Sequence, residues 1–388
     1  MTTICCSALA LVAASSLLVS GQSKRKPDLA PIALFPIRTL WTLIAGARLG
    51  MAPVYAGFHA YFPLDDGRLV AYDLILGTPE WVVQSSPQVN PAIGQGLIFL
   101  VETGQLTARR QSDGSVAWTV PWSESLSTPP VWDNEWLMLA TRGGAIVAFR
   151  ASDGTTIWRR DVGSPAHVQP ALAADRVYVA TDDMRIVALQ VTTGEMVWAR
   201  RLGGVPTSLL ALDEQLFAGA SDNYFYCLIA EDGRVDWRWR VGADPIGQPV
   251  VDAKNVYFVA LDNVLRALSR GHGVQQWVRL LPYRPTRGPL MVGPALLVTG
   301  IEAAMRAYAA TDGKPAGESP TLGEVVADPY LVTGTATPVV LPQLLILTRS
   351  ITLGTIATMT IRNIEPPIAP LTPLANPVPF APLRPRAD

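Results

Sequence analysis

Lysine is nearly absent from this sequence: only four of its 31 basic residues are Lys. Basic and acidic residues balance at 31 against 32, so there is no cationic surplus to displace counterions from a nucleic-acid backbone. A nucleic-acid partner is therefore excluded. Charged residues make up 16% of the 388 residues and hydrophobic ones 49%, which is too apolar for a disordered chain and enough for a large core. Cysteine is scarce as well. Cys5 and Cys6 fall in a short apolar leader and leave Cys227 alone, so no disulfide framework can form. His59, His167 and His272 lie far apart, and no His, Cys or carboxylate cluster has metal-ligand spacing. The patterns GxxxxGK[ST], G-x-S-x-G and HExxH are missing, which removes a phosphate cradle, a hydrolase elbow and a zincin helix. No catalytic, metal-binding or cofactor-binding residue is assigned.

Long apolar runs are missing too. Ser7 to Ser20 (SALALVAASSLLVS) is shorter than the roughly 20 residues a comfortable membrane span needs. Val19 and Gly21 give it the small-residue spacing of a signal-peptidase site. No basic residue precedes the run, and Lys24, Arg25 and Lys26 follow it. Residues 1–21 are thus expected to be a signal peptide or a retained N-terminal anchor, with 22–36 as a linker. At the other end, residues 363–388 carry eight prolines, which cannot donate to a ladder, and are expected to form a disordered tail.

The organising feature is a repeat. Trp stands at 41, 81, 118, 158, 198, 237 and 277, at spacings of 40, 37, 40, 40, 39 and 40 residues. Four residues before each of the last six stands a Gly (Gly77, Gly114, Gly154, Gly194, Gly233, Gly273), and ten before stands a small residue (Ala71, Ala108, Ala148, Ala188, Cys227, Ala267). One further unit keeps Ala307 and Gly313 but has Gly317 where the Trp belongs. Within a unit such as the one from Arg176, three alternating runs separated by polar, Gly-bearing turns predict three antiparallel strands, with room for a short one before them. Four strands in about 40 residues make a propeller blade. The Gly serves a turn at positive φ, and the Trp seals one blade against the next. Trp41 has no hairpin before it and reads as an isolated outer strand on which the strands of residues 339–361 close. The expected fold is all-β: an eight-bladed β-propeller over residues 37–362, of four-stranded antiparallel blades, closed by an N-terminal strand pairing with C-terminal strands. The Arg residues after the Trp positions (Arg159, Arg160, Arg200, Arg201, Arg238, Arg240, Arg279) read as edge protection on the outermost strands.

The blade pattern, clear in GAIVAFRASDGTTIW (144–158) and NVLRALSRGHGVQQW (263–277), resembles the pyrroloquinoline-quinone-type propeller repeat over roughly residues 37–360. That family includes quinoprotein dehydrogenases and non-enzymatic scaffolds. The chain length, the expected export and the ring closed by an N-terminal strand resemble its members in outer-membrane β-barrel assembly. What the resemblance implies is a non-enzymatic periplasmic scaffold at the outer membrane, monomeric within a larger assembly complex, in contact with the membrane indirectly or through an N-terminal anchor. The lipid-acceptor Cys of those members has no counterpart at the end of the apolar run. A quinoprotein dehydrogenase would imply a calcium site, a catalytic Asp and a vicinal Cys pair, and the only vicinal pair here is Cys5 and Cys6. The alternative function is a quinone- or small-ligand-binding propeller with oxidoreductase activity.

One constellation is singled out for partner binding. The turns between the second and third strands of the blades carry Asp65, Asp66, Glu102, Arg142, Asp182, Asp183, Asp222, Asp262, Glu302 and Arg349. They are mostly acidic, and the expected function of such a rim around the axial opening is to dock a protein segment, giving orientation and encounter rate.

Overall fold

The computed structural model describes residues 37–44, 47–212, 214–321, 323–332, 343–349 and 357–364. The leader, the linker and the tail beyond Ile364 lie outside the described residues. Among the described residues there are strands and turns and no helix. The strands form eight antiparallel sheets. Seven are four-stranded and hydrogen-bonded in chain order: residues 54–84, 92–121, 131–161, 171–201, 206–240, 245–280 and 290–320, here blades one to seven.

Blade four shows how the sequence builds one. Its strands are Ala171–Ala173, Arg176–Ala180, Arg185–Gln190 and Met196–Arg201. The two middle strands bury near-continuous apolar runs because both faces are covered. Val177, Val179, Val187 and Leu189 enter the core shared with blade three, whereas Tyr178, Ala180, Ile186 and Ala188 enter the core shared with blade five. The outer strand alternates in burial and carries the Trp. Every one of the eight seams has such a core, and the last one joins Phe62 and Tyr72 of blade one to Leu345 and Leu347 of blade eight. The sheets therefore form a complete circle.

The repeated Trp, Gly and Ala make one joint. Ala188 lies directly across from Trp198, so the small side chain leaves room for the indole, and a bulge follows at once. The indole packs on the Gly turn of the following blade. At Gly194, φ is 70° and a Cβ would fall 2.5 Å from the Trp158 ring, so both the turn and the neighbour demand glycine. Six of the column's indole N–H groups then reach the carbonyl three residues before that Gly: Trp81 to Gln111, Trp118 to Ala151, Trp158 to Val191, Trp198 to Ala230, Trp237 to Arg270 and Trp277 to Ala310, at 2.7–3.0 Å.

Three of the Arg residues after the Trp column have a different task from the one expected. Arg160, Arg200 and Arg279 turn their Nε toward the next blade and donate to the carbonyls of Gly194, Gly233 and Gly313 at 2.6–2.8 Å. They clamp seams. Arg159 pairs with Glu124, and Arg238 lies over the Tyr224 ring.

Blade eight is built differently. Two short inner strands, Glu324–Val325 and Tyr330–Val332, both pair with Gln343–Arg349, which pairs with Ala357–Ile364. The outermost strand, Ile37–Ile44, comes from the other end of the chain and runs antiparallel to Ala357–Ile364, with Ile37 opposite Ile364 and Thr42 opposite Thr360. Trp41 lies over Gly77 of blade one, as the joint requires. The Trp missing from blade seven now has a physical explanation. Such an indole would dock on the turn between the third and fourth strands of blade eight, and those two strands are not consecutive in the chain.

Candidate functional site: the face of the second-to-third strand turns

In an antiparallel blade laid down in chain order, the turn between the second and third strands opens on the same face as the connection to the next blade. All ten singled-out residues lie in or immediately beside those turns, distributed over the eight blades. Most of them are engaged locally. Asp66 receives Arg68 Nε at 2.7 Å, and this guanidinium holds its carboxyl below the usual range. Glu102 accepts from Ser85 Oγ at 2.7 Å and from Gln105. Asp182 meets His167 Nδ1 at 2.6 Å. Asp183 accepts from Thr181 Oγ1 and Arg185 Nε, both at 2.6 Å; burial pushes its carboxyl up, but these bonds prevail and the net shift is downward.

In blades five to seven the acids reach a side chain on the third strand. Asp222 accepts the Tyr226 hydroxyl at 2.5 Å, and burial, then this carboxylate, push the phenol up to about 12. Asp262 takes Arg266 Nη1 at 3.0 Å and the Gly242 N–H at 2.9 Å in a mostly buried pair. Glu302 joins Glu318 in bracketing Arg306, whose guanidinium also lies 4.8 Å from the Tyr283 ring centre. Asp65, Arg142 and Arg349 are exposed, with no side-chain partner among the described residues.

A cavity of about 340 Å³ lies between the innermost strands, lined by Val54, Ile93, Val131, Leu172 and other apolar residues, with Trp132, Gln169 and Gln248. Trp132 lies over Gly94, and its indole N–H is buried without an acceptor among the described residues. At the seam of blades one and eight, Tyr55 stacks on Tyr330 with ring centres 4.2 Å apart. Its hydroxyl is buried and has no hydrogen-bond partner among the described residues, and burial together with the nearby Asp328 carboxylate pushes it far above the ordinary phenol range. Sequence reasoning passed over these residues. The one available signal was that Trp132 falls outside the 40-residue Trp register. Lined by apolar side chains, an indole and two amides, the cavity offers no carboxylate for a cation. Among the described residues no group of three or more His, Cys, Asp or Glu could hold a metal ion. Among the described residues, the lining of this cavity does not fit a calcium-bound quinone.

Solved structures share this fold at low identity. BamB from Moraxella catarrhalis matches with a TM-score of 0.66 and 18% identity, covering 85% of this chain and 98% of that one. A quinohemoprotein alcohol dehydrogenase from Comamonas testosteroni matches with a TM-score of 0.67 and 14% identity, over 84% of this chain and 76% of that one. The computationally designed protein Ika8 matches with a TM-score of 0.65 and 11% identity, over 86% of this chain and all of that one. Likeness at this level speaks for the fold alone. No curated protein matches the sequence significantly. The family described as "Outer membrane protein assembly factor BamB" matches residues 12–125, 102–219 and 208–326, and with most of its length accounted for in these overlapping repeats, the chain belongs to that family.

Proposed function

We propose that this chain is a non-enzymatic, exported scaffold that docks protein partners in outer-membrane protein assembly, working in the periplasm and using the face of the second-to-third strand turns. The observation that carries the reading is the closure of that face on itself. Most of its charged side chains are held, by Arg68, Ser85, Thr181, Arg185, Tyr226 and Arg266 among others, so the turns that present the remaining ones are fixed and lose little freedom when a partner binds. Family membership supports the assembly role, and the matched BamB structure is covered almost end to end. Because the engaged acids hold turns together, contacts to a partner fall to the residues left over: Asp65, Arg142 and Arg349.

The test is co-purification of the tagged full chain from envelope membranes. Wild type is expected to bring down barrel-assembly components. The triple variant Asp65→Lys, Arg142→Glu, Arg349→Glu should recover several-fold less with an unchanged unfolding transition. Recovery of no such components, or equal recovery by the variant, overturns the reading.

A second reading, a small-ligand propeller with oxidoreductase activity, draws on the axial cavity and the unpaired Trp132 N–H. It requires a ligand absorbance retained on purified protein mixed with quinone and calcium, together with dye reduction. Neither is expected from this lining.

A further inference from the structure

Seven of the eight outermost strands are tied to their neighbour by a tight Gly-bearing turn. In each, the Gly N–H closes on the carbonyl four residues earlier, as Gly194 does on Gln190 at 2.8 Å. Ile37–Ile44 has no such tether. Its only short covalent link is to blade one, through residues 45–53.

Two further features loosen the same strand. The Trp41 indole sits on Gly77, but its N–H is buried and without an acceptor among the described residues, although the equivalent carbonyl, that of Leu74, belongs to a fully buried residue. All six other indoles of the column are bonded. On the opposite side of blade eight, Gly317 supplies no indole to the seam with blade seven.

The position is nonetheless a well-formed strand site. Seven residues of Ile37–Ile44 are paired along Ala357–Ile364, and Ile37 packs into the core between blades seven and eight while Trp41 and Leu43 pack into the next one. From these observations we propose that the outer position of blade eight is a strand-exchange site, and that its alternative occupant is the Ile37–Ile44 segment of a second copy of this chain. The identical segment restores every backbone bond and both core contacts, so exchange between two copies costs no interface. What opposes it is the higher effective concentration of the strand already tethered through residues 45–53. Exchange is therefore a concentration-dependent reaction, started by local release of the strand.

The experiment mixes two full-length preparations carrying different tags. It follows mixed dimers by sequential capture and size exclusion, and amide hydrogen exchange in residues 37–44. The expected result is a dimer-to-monomer ratio that rises in proportion to monomer concentration. In the monomer, residues 37–44 should exchange at least tenfold faster than Met196–Arg201. Trp41→Phe should form mixed dimers as readily as wild type, because the N–H it removes has no acceptor among the described residues. Absence of mixed dimers at every concentration overturns the proposal. So does protection of residues 37–44 equal to that of the tethered strands.

Discussion

In the seam between blades three and four, the Trp158 indole has exchanged water for one acceptor, the Val191 carbonyl at 2.7 Å, and only 8% of the residue remains exposed. Trp158→Phe keeps most of the ring but strands that carbonyl, which should cost about 1–3 kcal/mol. The loss is read as a lower urea midpoint at unchanged slope. Trp41→Phe should cost clearly less, since no acceptor is stranded. A second residue-scale prediction concerns Asp262. Burial pushes its carboxyl up, but the Arg266 guanidinium and the Gly242 N–H outweigh burial and hold it below the usual range. A depressed folded-state value adds stability at pH above the unfolded value, near 3.9, and that stability drains away as pH falls through the folded value. Asp262→Asn leaves Arg266 buried without its counterion, at a cost of about 3 kcal/mol near neutrality. Unfolding measured across pH should show the gap between wild type and variant closing below pH ~4.

At the scale of the blade, the joint was legible where it is made of side chains and hidden where it is made of backbone. The columns of Trp, Gly and small residues recur in the sequence because an indole needs an empty space opposite it and another beneath it, and only residue types such as Ala188 and Gly194 supply these. The acceptors of the indoles are carbonyls of Gln111, Ala151, Val191 and their equivalents, which no sequence pattern marks. The same blindness led Arg160, Arg200 and Arg279 to be read as edge charges, when their partners are glycine carbonyls in the next blade. The candidate face was legible as a set of turns but not as a set of bonds. Asp222 and Asp65 look alike in sequence, and only the fold shows that one meets Tyr226 while the other has no side-chain partner among the described residues. Gly317 tests the account of the joint. If the missing Trp reflects the missing turn in blade eight, Gly317→Trp gains no stability, and its urea midpoint stays at or below that of wild type. A gain of 1 kcal/mol or more would mean that another surface receives the indole.

At the scale of the ring, the eight cores form an unbroken cycle while the polypeptide does not, and the break falls inside blade eight. Pairing Ile37–Ile44 with Ala357–Ile364 brings together residues from nearly opposite ends of the sequence, a non-local contact that is entropically costly to form. Because Ile37 already stands opposite Ile364, a four-residue Gly-bearing turn can join them directly, as in every other blade. New termini then fall in residues 45–46. In this circular permutant the last hairpin becomes local. At about 0.6 kcal/mol per doubling of loop length, replacing a closure across roughly three hundred residues by a turn of four relieves at most about 4 kcal/mol. The expected outcome is faster refolding, a higher urea midpoint and loss of mixed dimers between differently tagged copies. A permutant that folds to the same ring yet is no more stable, and still exchanges its outer strand, would show that the seam is governed by its side-chain contacts, with connectivity contributing nothing.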